Sequence, residues 1–139
     1  MSGARFVDTN ILLYSISRAP DEAVKRSRAI AILDAGDVTL SVQVLQEFYV
    51  QATRPTRTDR IPHDVATGLV AAWCRFPVVD ITRPVMERAL EIVERHRLGY
   101  WDAAIISAAV AGECAEVVTE DLQHGQLIHG VRVVDPFRH

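Results

Sequence analysis

Four acidic residues follow apolar segments or lie on the helices beside them: Asp8, Glu47, Asp102 and Asp121. Carboxylates near apolar surroundings are costly unless their charge is offset, and four together repel one another and raise the pKa of at least one. A hard divalent cation such as Mg²⁺ relieves this repulsion and prefers oxygen ligands. The four residues therefore predict a carboxylate site for a divalent cation, which suits hydrolysis of a phosphodiester.

Short apolar segments that alternate with helical ones predict the elements that position these acids. Strands are expected at residues 4–7, 38–42, 77–81, 116–119 and 131–134. Helices are expected to begin at Pro20, after a Ser41 cap, at Val65, at Pro84 and at Trp101. This order predicts one domain over residues 1–139, a three-layer α/β/α fold with a mainly parallel sheet of four to five strands.

The predicted elements place the acids at one edge of that sheet. Asp8 ends the first strand, Asp121 follows the fourth, and Glu47 lies on the helix after the second. Asp102 opens an apolar helix whose Ile105 and Ile106 are expected to face the sheet. Because ligands of open α/β sheets bind outside the carboxyl ends of the strands, all four carboxylates are expected to meet there.

Composition excludes several other classes of function. With 15 basic and 18 acidic residues the net charge is −3, which argues against binding nucleic acid by bulk positive charge. The five histidines show no zinc spacing, and neither GxGxxG, GxxxxGK[ST] nor GxSxG occurs. Cys74 and Cys114 are expected to be ordinary buried thiols in a reducing cytosol. Without an apolar run of membrane length or a secretory leader, we expect no membrane association and a cytoplasmic location.

The motifs resemble those of a known family. The segments FVDTNILLY, SVQVLQEF, YWDAAIISAAV and VVTEDLQHGQ are similar to motifs of the PIN-domain family. Their order and spacing resemble the small VapC-type toxins of bacterial toxin–antitoxin pairs. The resemblance implies a ribonuclease dependent on Mg²⁺, for which Mn²⁺ can substitute. It also implies a homodimer that cuts RNA and is silenced by a cognate antitoxin protein.

The resemblance also implies roles for particular residues. The four acids match the family's acidic positions, and Asn10 and Thr119 match its supporting polar positions. Glu120 departs from the pattern, since many relatives carry arginine or another residue there. The sequence leaves open whether Asp121 acts alone or together with Glu120.

Two arginine clusters are candidates for contact with RNA phosphates: Arg54, Arg57 and Arg60, and then Arg95 and Arg97. Arginine suits phosphate recognition, and the aromatic residues Tyr100 and Trp101 could stack on unpaired bases. The alternative is that both clusters are ordinary solvated surface. An apolar antitoxin-binding groove is expected to involve the second helix and its following loop.

Each acid also has an ordinary structural interpretation. Asp8 and Asn10 are favoured helix caps, Glu47 could be a solvated helical residue, and Asp102 suits a helix N-terminus. Asp121 lies in a turn, where aspartate is common. Two further acids, Asp80 and Asp135, also end apolar runs, but the prolines that follow them indicate turns, so we leave them out of the site.

Three other functions remain as alternatives. The chain could be a PIN-domain nuclease of RNA maturation that has no antitoxin, or a catalytically inactive PIN-like interaction module. A phosphoacceptor receiver domain needs a lysine after a late strand, whereas the only lysine, Lys25, precedes the second strand. The receiver-domain alternative is therefore nearly excluded.

Overall fold

The computed structural model describes residues 4–138. Its strands are β1 (Arg5–Val7), β2 (Val38–Ser41), β3 (Val78–Val79), β4 (Glu116–Val118), β5 (Leu127–Ile128) and β6 (Val131–Val134). Its helices are α1 (Thr9–Ser15), α2 (Ala23–Asp34), α3 (Val42–Ala52), α4 (His63–Trp73), α5 (Arg83–His96) and α6 (Tyr100–Ala111), with a 3₁₀ turn at Pro20–Glu22. Most begin within one or two residues of the predicted positions.

The strands form one sheet in the order β3-β2-β1-β4-β6-β5. All neighbouring pairs are parallel except β5 with β6, which is antiparallel. Phe6 and Val7 point to opposite faces of β1, and both are fully buried. Both faces of the sheet are therefore covered, and the predicted α/β/α fold is confirmed.

The sheet has one strand more than the four to five predicted. The added strand, β5, is two residues long and pairs with β6 through Ile128 and Val131. Gly125 and Gly130 flank it with positive φ values of 84° and 85°, so the chain reverses at both ends. Two residues are too few for a periodic pattern, which is why the sequence did not reveal this strand.

Helices α3 and α5 each begin at a hydroxyl residue whose side chain caps the first turn. The Ser41 Oγ accepts a hydrogen bond of 3.2 Å from the Val44 N–H, which confirms the predicted cap of α3. Thr82 caps α5 in the same way at Val85, with Pro84 in the first turn. These caps fix the points at which α3 and α5 leave the sheet.

Helix α6, which carries Asp102, is almost entirely buried from Ala103 to Ala109. Ile105 and Ile106 are 4% and 0% exposed, as the sequence predicted. The helix packs against α5 and against strands β4 and β6. Cys114, which follows the helix, is buried as expected, whereas Cys74 at the end of α4 is exposed, so the prediction that both thiols are buried was wrong for Cys74. In the described range 4–138, no helix is both long and apolar enough to cross a membrane.

Candidate active site

All four predicted acids line one cleft of about 390 Å³ at the carboxyl edge of the sheet. The site brings together residues that are far apart in sequence because β1 and β4 are neighbours in the sheet. Asp8 directly follows β1, and Asp121 lies three residues after β4. Glu47 and Asp102 reach the same cleft from α3 and α6. The remaining lining residues are Thr9, Asn10, Leu13, Tyr14, Gln43, Gln51, Trp101, Ile105 and Glu120.

Asp8 is the buried member of the set, with 8% of its surface exposed. Its Oδ1 accepts a hydrogen bond of 2.7 Å from the Thr9 N–H, and its Oδ2 accepts one of 2.8 Å from the Thr119 Oγ1. Burial raises the pKa of Asp8 to about 6, with smaller contributions from the charges of Asp121 and Glu47. Asp8 is therefore both the N-cap of α1 and a constrained carboxylate in the cleft.

Asn10 and Thr119 connect the segments on which Asp8 and Asp121 lie. The Asn10 Nδ2 donates to the Asp121 Oδ2 at 2.9 Å and to the Thr119 Oγ1 at 3.2 Å. The Asp121 N–H donates to the same hydroxyl at 3.1 Å. Thr119 is fully buried. Asn10 and Thr119 are therefore hydrogen-bond partners of Asp8 and Asp121, and the supporting role that the family resemblance implies for them stays a prediction.

Glu47 is held by two residues that the sequence analysis did not select. The Thr9 Oγ1 donates to its Oε1 at 3.0 Å, and the Gln43 Nε2 lies 3.5 Å from its Oε2. Gln43 precedes Glu47 by one helical turn, so the i, i+4 spacing on α3 was a usable signal. The contact from Thr9 spans 38 residues and had no signal in the sequence.

Asp102 is half-buried in the first turn of α6. Burial raises its pKa, and the nearby charge of Asp121 raises it further. Within residues 4–138 its carboxylate accepts no hydrogen bond from another side chain, unlike those of the other three acids. The neighbouring Trp101 is 65% exposed at the rim of the cleft.

The donor set of the cleft suits a hard cation. Among residues 4–138, no three acidic, imidazole or thiol groups lie close enough together, as they stand in this structure, to hold a metal ion between them. The cleft is instead lined by separate carboxylates and by Asn10, whose buried Oδ1 has no hydrogen-bond partner among the described residues. An open set of oxygen ligands fits Mg²⁺ or Mn²⁺, since Mg²⁺ keeps several waters and needs only one or two carboxylates.

Glu120 lines the same cleft, but both of its carboxylate oxygens are occupied. The Tyr14 hydroxyl donates to Oε1, and the Lys25 Nζ donates to Oε2 at 2.9 Å. The hydrogen bond from Lys25 to Glu120 is the main cause that raises the pKa of Lys25. In this arrangement Glu120 is an ion-paired residue and differs from the four other acids.

The five arginines proposed for RNA contact lie outside the lining of the acidic cleft. Arg54 is exposed in a shallow depression next to Glu47, and Arg57 is paired with Asp59 at 3.0 Å. Arg60 and Arg97 are exposed, and Arg95 lies beside Glu91 and Glu94 in a separate depression. Of these five arginines, Arg54 is therefore the one that lies next to an acid of the cleft. Contact with RNA stays a prediction for all five.

The two acids excluded on sequence grounds also lie outside the lining of the cleft. Asp80 is exposed after β3, and the Oδ1 of Asp135 accepts a hydrogen bond from the Phe137 N–H. The Asp135 side chain therefore stabilises a local turn, a contact that the sequence analysis, which relied on Pro136, had not identified.

Comparison with known proteins assigns the family. The model of the PIN domain matches residues 5–127, so the chain belongs to the PIN-domain family. A comparison with curated protein sequences gave no match. Solved structures with similar folds were found over nearly the whole chain.

Three of these structures illustrate the similarity. A toxin–antitoxin complex from Klebsiella pneumoniae contains a chain with 22% identity and a TM-score of 0.70, covering 98% of this chain and 100% of that one. A DNA-bound VapBC from Salmonella typhimurium gives 21% identity and a TM-score of 0.67, with 98% and 99% covered. VapC20 from Mycobacterium tuberculosis, a toxin that cleaves the sarcin-ricin loop, has 19% identity and a TM-score of 0.63. The match covers 82% of this chain and 87% of the VapC20 chain. At these identities the similarity establishes the fold.

Proposed function

We propose that this protein is an endoribonuclease that depends on Mg²⁺ or Mn²⁺ and acts as the toxin of a toxin–antitoxin pair. The observation that carries the proposal is the convergence of Asp8, Glu47, Asp102 and Asp121 in one cleft of a PIN fold. An unpartnered acceptor, the Asn10 Oδ1, lies in the same region. Four acids that share a cleft repel one another, and a bound cation would offset this repulsion.

The proposed chemistry assigns a task to each part of the cleft. Asp8 and Asp121 would hold the cation from the sheet side, and Glu47 and Asp102 would hold it from the helices. When bound, the cation supplies positive charge that stabilises a phosphodiester under attack and lowers the pKa of water. Thr119 and Asn10 keep the first two carboxylates oriented, and Thr9 does the same for Glu47.

Cation binding is the first property to test. Calorimetry with Mn²⁺ at neutral pH should show binding to the wild type and its loss in Asp102→Asn. The matched control is Asp80→Asn, which removes an exposed acid outside the cleft and should bind as the wild type does. If the folded wild type binds no Mn²⁺ at millimolar concentration, or if Asp102→Asn binds as tightly as the control, the proposed site is wrong.

RNA cleavage is the second property to test. Asp8→Asn should lose at least about a hundredfold in metal-dependent cleavage, because electrostatic groups of an active site contribute on that scale. The assay needs a panel that contains structured transfer and ribosomal RNAs, since an enzyme of this kind can discriminate strongly. Cleavage that persists unchanged in Asp8→Asn would contradict the assignment.

The proposed partners follow from the structures that share this fold. Two of them are a toxin–antitoxin complex and a DNA-bound VapBC complex. By analogy we propose a cognate antitoxin, a homodimer and a cytoplasmic RNA substrate for this chain. A nuclease of RNA maturation without an antitoxin is the alternative, and binding by the product of a small co-transcribed gene would decide against it.

An apolar groove offers a surface for such an antitoxin. It has a volume of about 750 Å³ and lies between α3 and α4, away from the four acids. Its lining residues are Val42, Leu45, Gln46, Tyr49, Val50, Thr67, Val70, Ala71, Cys74 and Val78. The sequence analysis had placed the groove at α2 and its following loop, and α3–α4 is the better candidate on apolar lining.

A further inference from the structure

Lys25 is the only lysine of the chain, and it lies at the centre of a polar and aromatic cluster beside the cleft. Its Nζ is 2.9 Å from the Glu120 Oε2 and 3.3 Å from the Tyr14 hydroxyl oxygen. The same atom lies 4.9 Å from the centre of the Tyr14 ring and 5.2 Å from that of Phe137. An ammonium group with these contacts has a defined position, in contrast to the usual mobile surface lysine.

The cluster is joined to the proposed active site through three consecutive residues. Thr119 donates to Asp8, Asp121 accepts from Asn10, and Glu120 between them is turned toward α1 and α2. Tyr14 and Lys25 each hold one oxygen of Glu120. The turn after β4 is therefore anchored on one side by the cleft and on the other by Lys25.

We propose that Lys25 is a positioning residue for the cleft. By pairing with Glu120 it fixes the turn that carries Asp121, and it keeps the Glu120 carboxylate from joining the cation site as a fifth acid. The second part rests on the proposed function, because it assumes that the cleft binds a divalent cation. The first part concerns the metal-free protein and can be measured without any activity.

The position of Asp121 is measured through its backbone N–H, which donates to the Thr119 Oγ1. In Lys25→Met, solvent exchange of this amide, followed by NMR in the metal-free protein, should accelerate by about fivefold or more, since the turn loses an anchor. Lys25→Arg retains a cation and donors and should remain close to the wild type. The control Arg26→Met removes the same charge from an exposed neighbour on α2 and should leave the amide unchanged. If Lys25→Met matches Arg26→Met, the positioning role is refuted.

The effect of the Glu120 carboxylate on cation binding is tested by measuring the Mn²⁺ affinity of the same full-length variants by calorimetry. Lys25→Met should bind Mn²⁺ about threefold to tenfold more tightly, the scale expected for one additional carboxylate near a cation in partly solvated surroundings. The double variant Lys25→Met/Glu120→Gln should lose this gain and keep the faster Asp121 exchange. A gain that survives in the double variant, or no gain relative to Arg26→Met, would overturn the role assigned to Glu120. If the wild type binds no Mn²⁺, the proposed function and the fifth-acid role both fail, and the amide exchange alone decides the positioning role.

Discussion

Asp8 meets two demands with one carboxylate. One oxygen caps α1 through the Thr9 N–H, and the other accepts from the Thr119 hydroxyl and faces the acidic cleft. The capping interpretation therefore holds for Asp8, and it is compatible with the proposed role of the same carboxylate in the site. The two hydrogen bonds favour its charged form, but burial and the nearby acids outweigh them and raise the pKa to about 6.

A pH-dependent stability follows from this raised pKa. The folded chain holds the Asp8 proton up to about pH 6, whereas an unperturbed aspartate releases it near 3.8. The protonated Asp8 therefore contributes its full share to the free energy of unfolding below about pH 3.8. This contribution is lost as the pH rises through about 6, a change on the order of 2 to 3 kcal/mol. Asp8→Asn removes the titrating group. In the metal-free protein it should gain stability relative to the wild type between about pH 4 and about pH 7.5, measured by urea unfolding.

The control for this experiment is Asp80→Asn, an exposed acid for which the same comparison should give little change with pH. A stability difference between Asp8→Asn and the wild type that is equal at both pH values would contradict the assigned cause. Adding Mn²⁺ at the higher pH should restore the stability of the wild type more than that of Asp8→Asn, because a cation favours the charged carboxylate.

At the scale of elements, α6 places Asp102 by packing against α5. A fully buried hydroxyl links the two helices, since the Ser107 Oγ donates to the Val85 carbonyl oxygen at 2.7 Å. Val85 lies in the first turn of α5, so this bond links that turn to the second half of α6. Small residues along α6 allow the close approach.

Ser107→Ala tests this link. Loss of the donor should lower the free energy of unfolding by about 1 kcal/mol, since the Val85 carbonyl oxygen loses a buried side-chain donor. The matched control is Ser27→Ala on α2, an exposed serine whose loss should change the unfolding free energy by less than about 0.5 kcal/mol. Equal urea midpoints for the two variants would show that the Ser107 bond contributes little.

The sequence predicted the elements because their signals are local. Apolar runs, the Ser41 cap and Pro84 depend on neighbouring residues, and they correctly indicated β1, β2, α3, α5 and α6. The missed strand β5 depends on pairing with β6 and has no pattern of its own. In the same way, the contact of Thr9 with Glu47 and that of Lys25 with Glu120 arise only when separate segments fold together.

At the scale of the whole molecule, the acidic cleft and the apolar groove between α3 and α4 are separate surfaces that share helix α3. Gln46 and Val50 line the groove, and Glu47 between them lines the cleft. A partner seated in the groove would therefore contact the helix that carries a proposed cation ligand. This arrangement offers a route for an antitoxin to affect the active site through α3.

Ala71→Glu tests the groove as the antitoxin surface. Ala71 is exposed on α4 and lines the groove, so a charged side chain there should weaken binding of the proposed antitoxin at least about tenfold, measured with the purified proteins. Ala72→Glu carries the same change on the adjacent exposed residue, which does not line the groove, and should bind normally. Equal affinities of the two variants would place the antitoxin elsewhere.

The pairing of β1 with β4 also determines when the cleft can exist during synthesis. Asp8 emerges early, but its hydroxyl partner Thr119 follows 111 residues later, and Asp121 comes after that. A nascent chain on the ribosome thus lacks the cleft until β4 and the turn beyond it have emerged and docked beside β1. Under the proposed ribonuclease function, this delay would protect the ribosome and the message that are making the chain. An inhibitor translated from the same message would have that interval in which to accumulate.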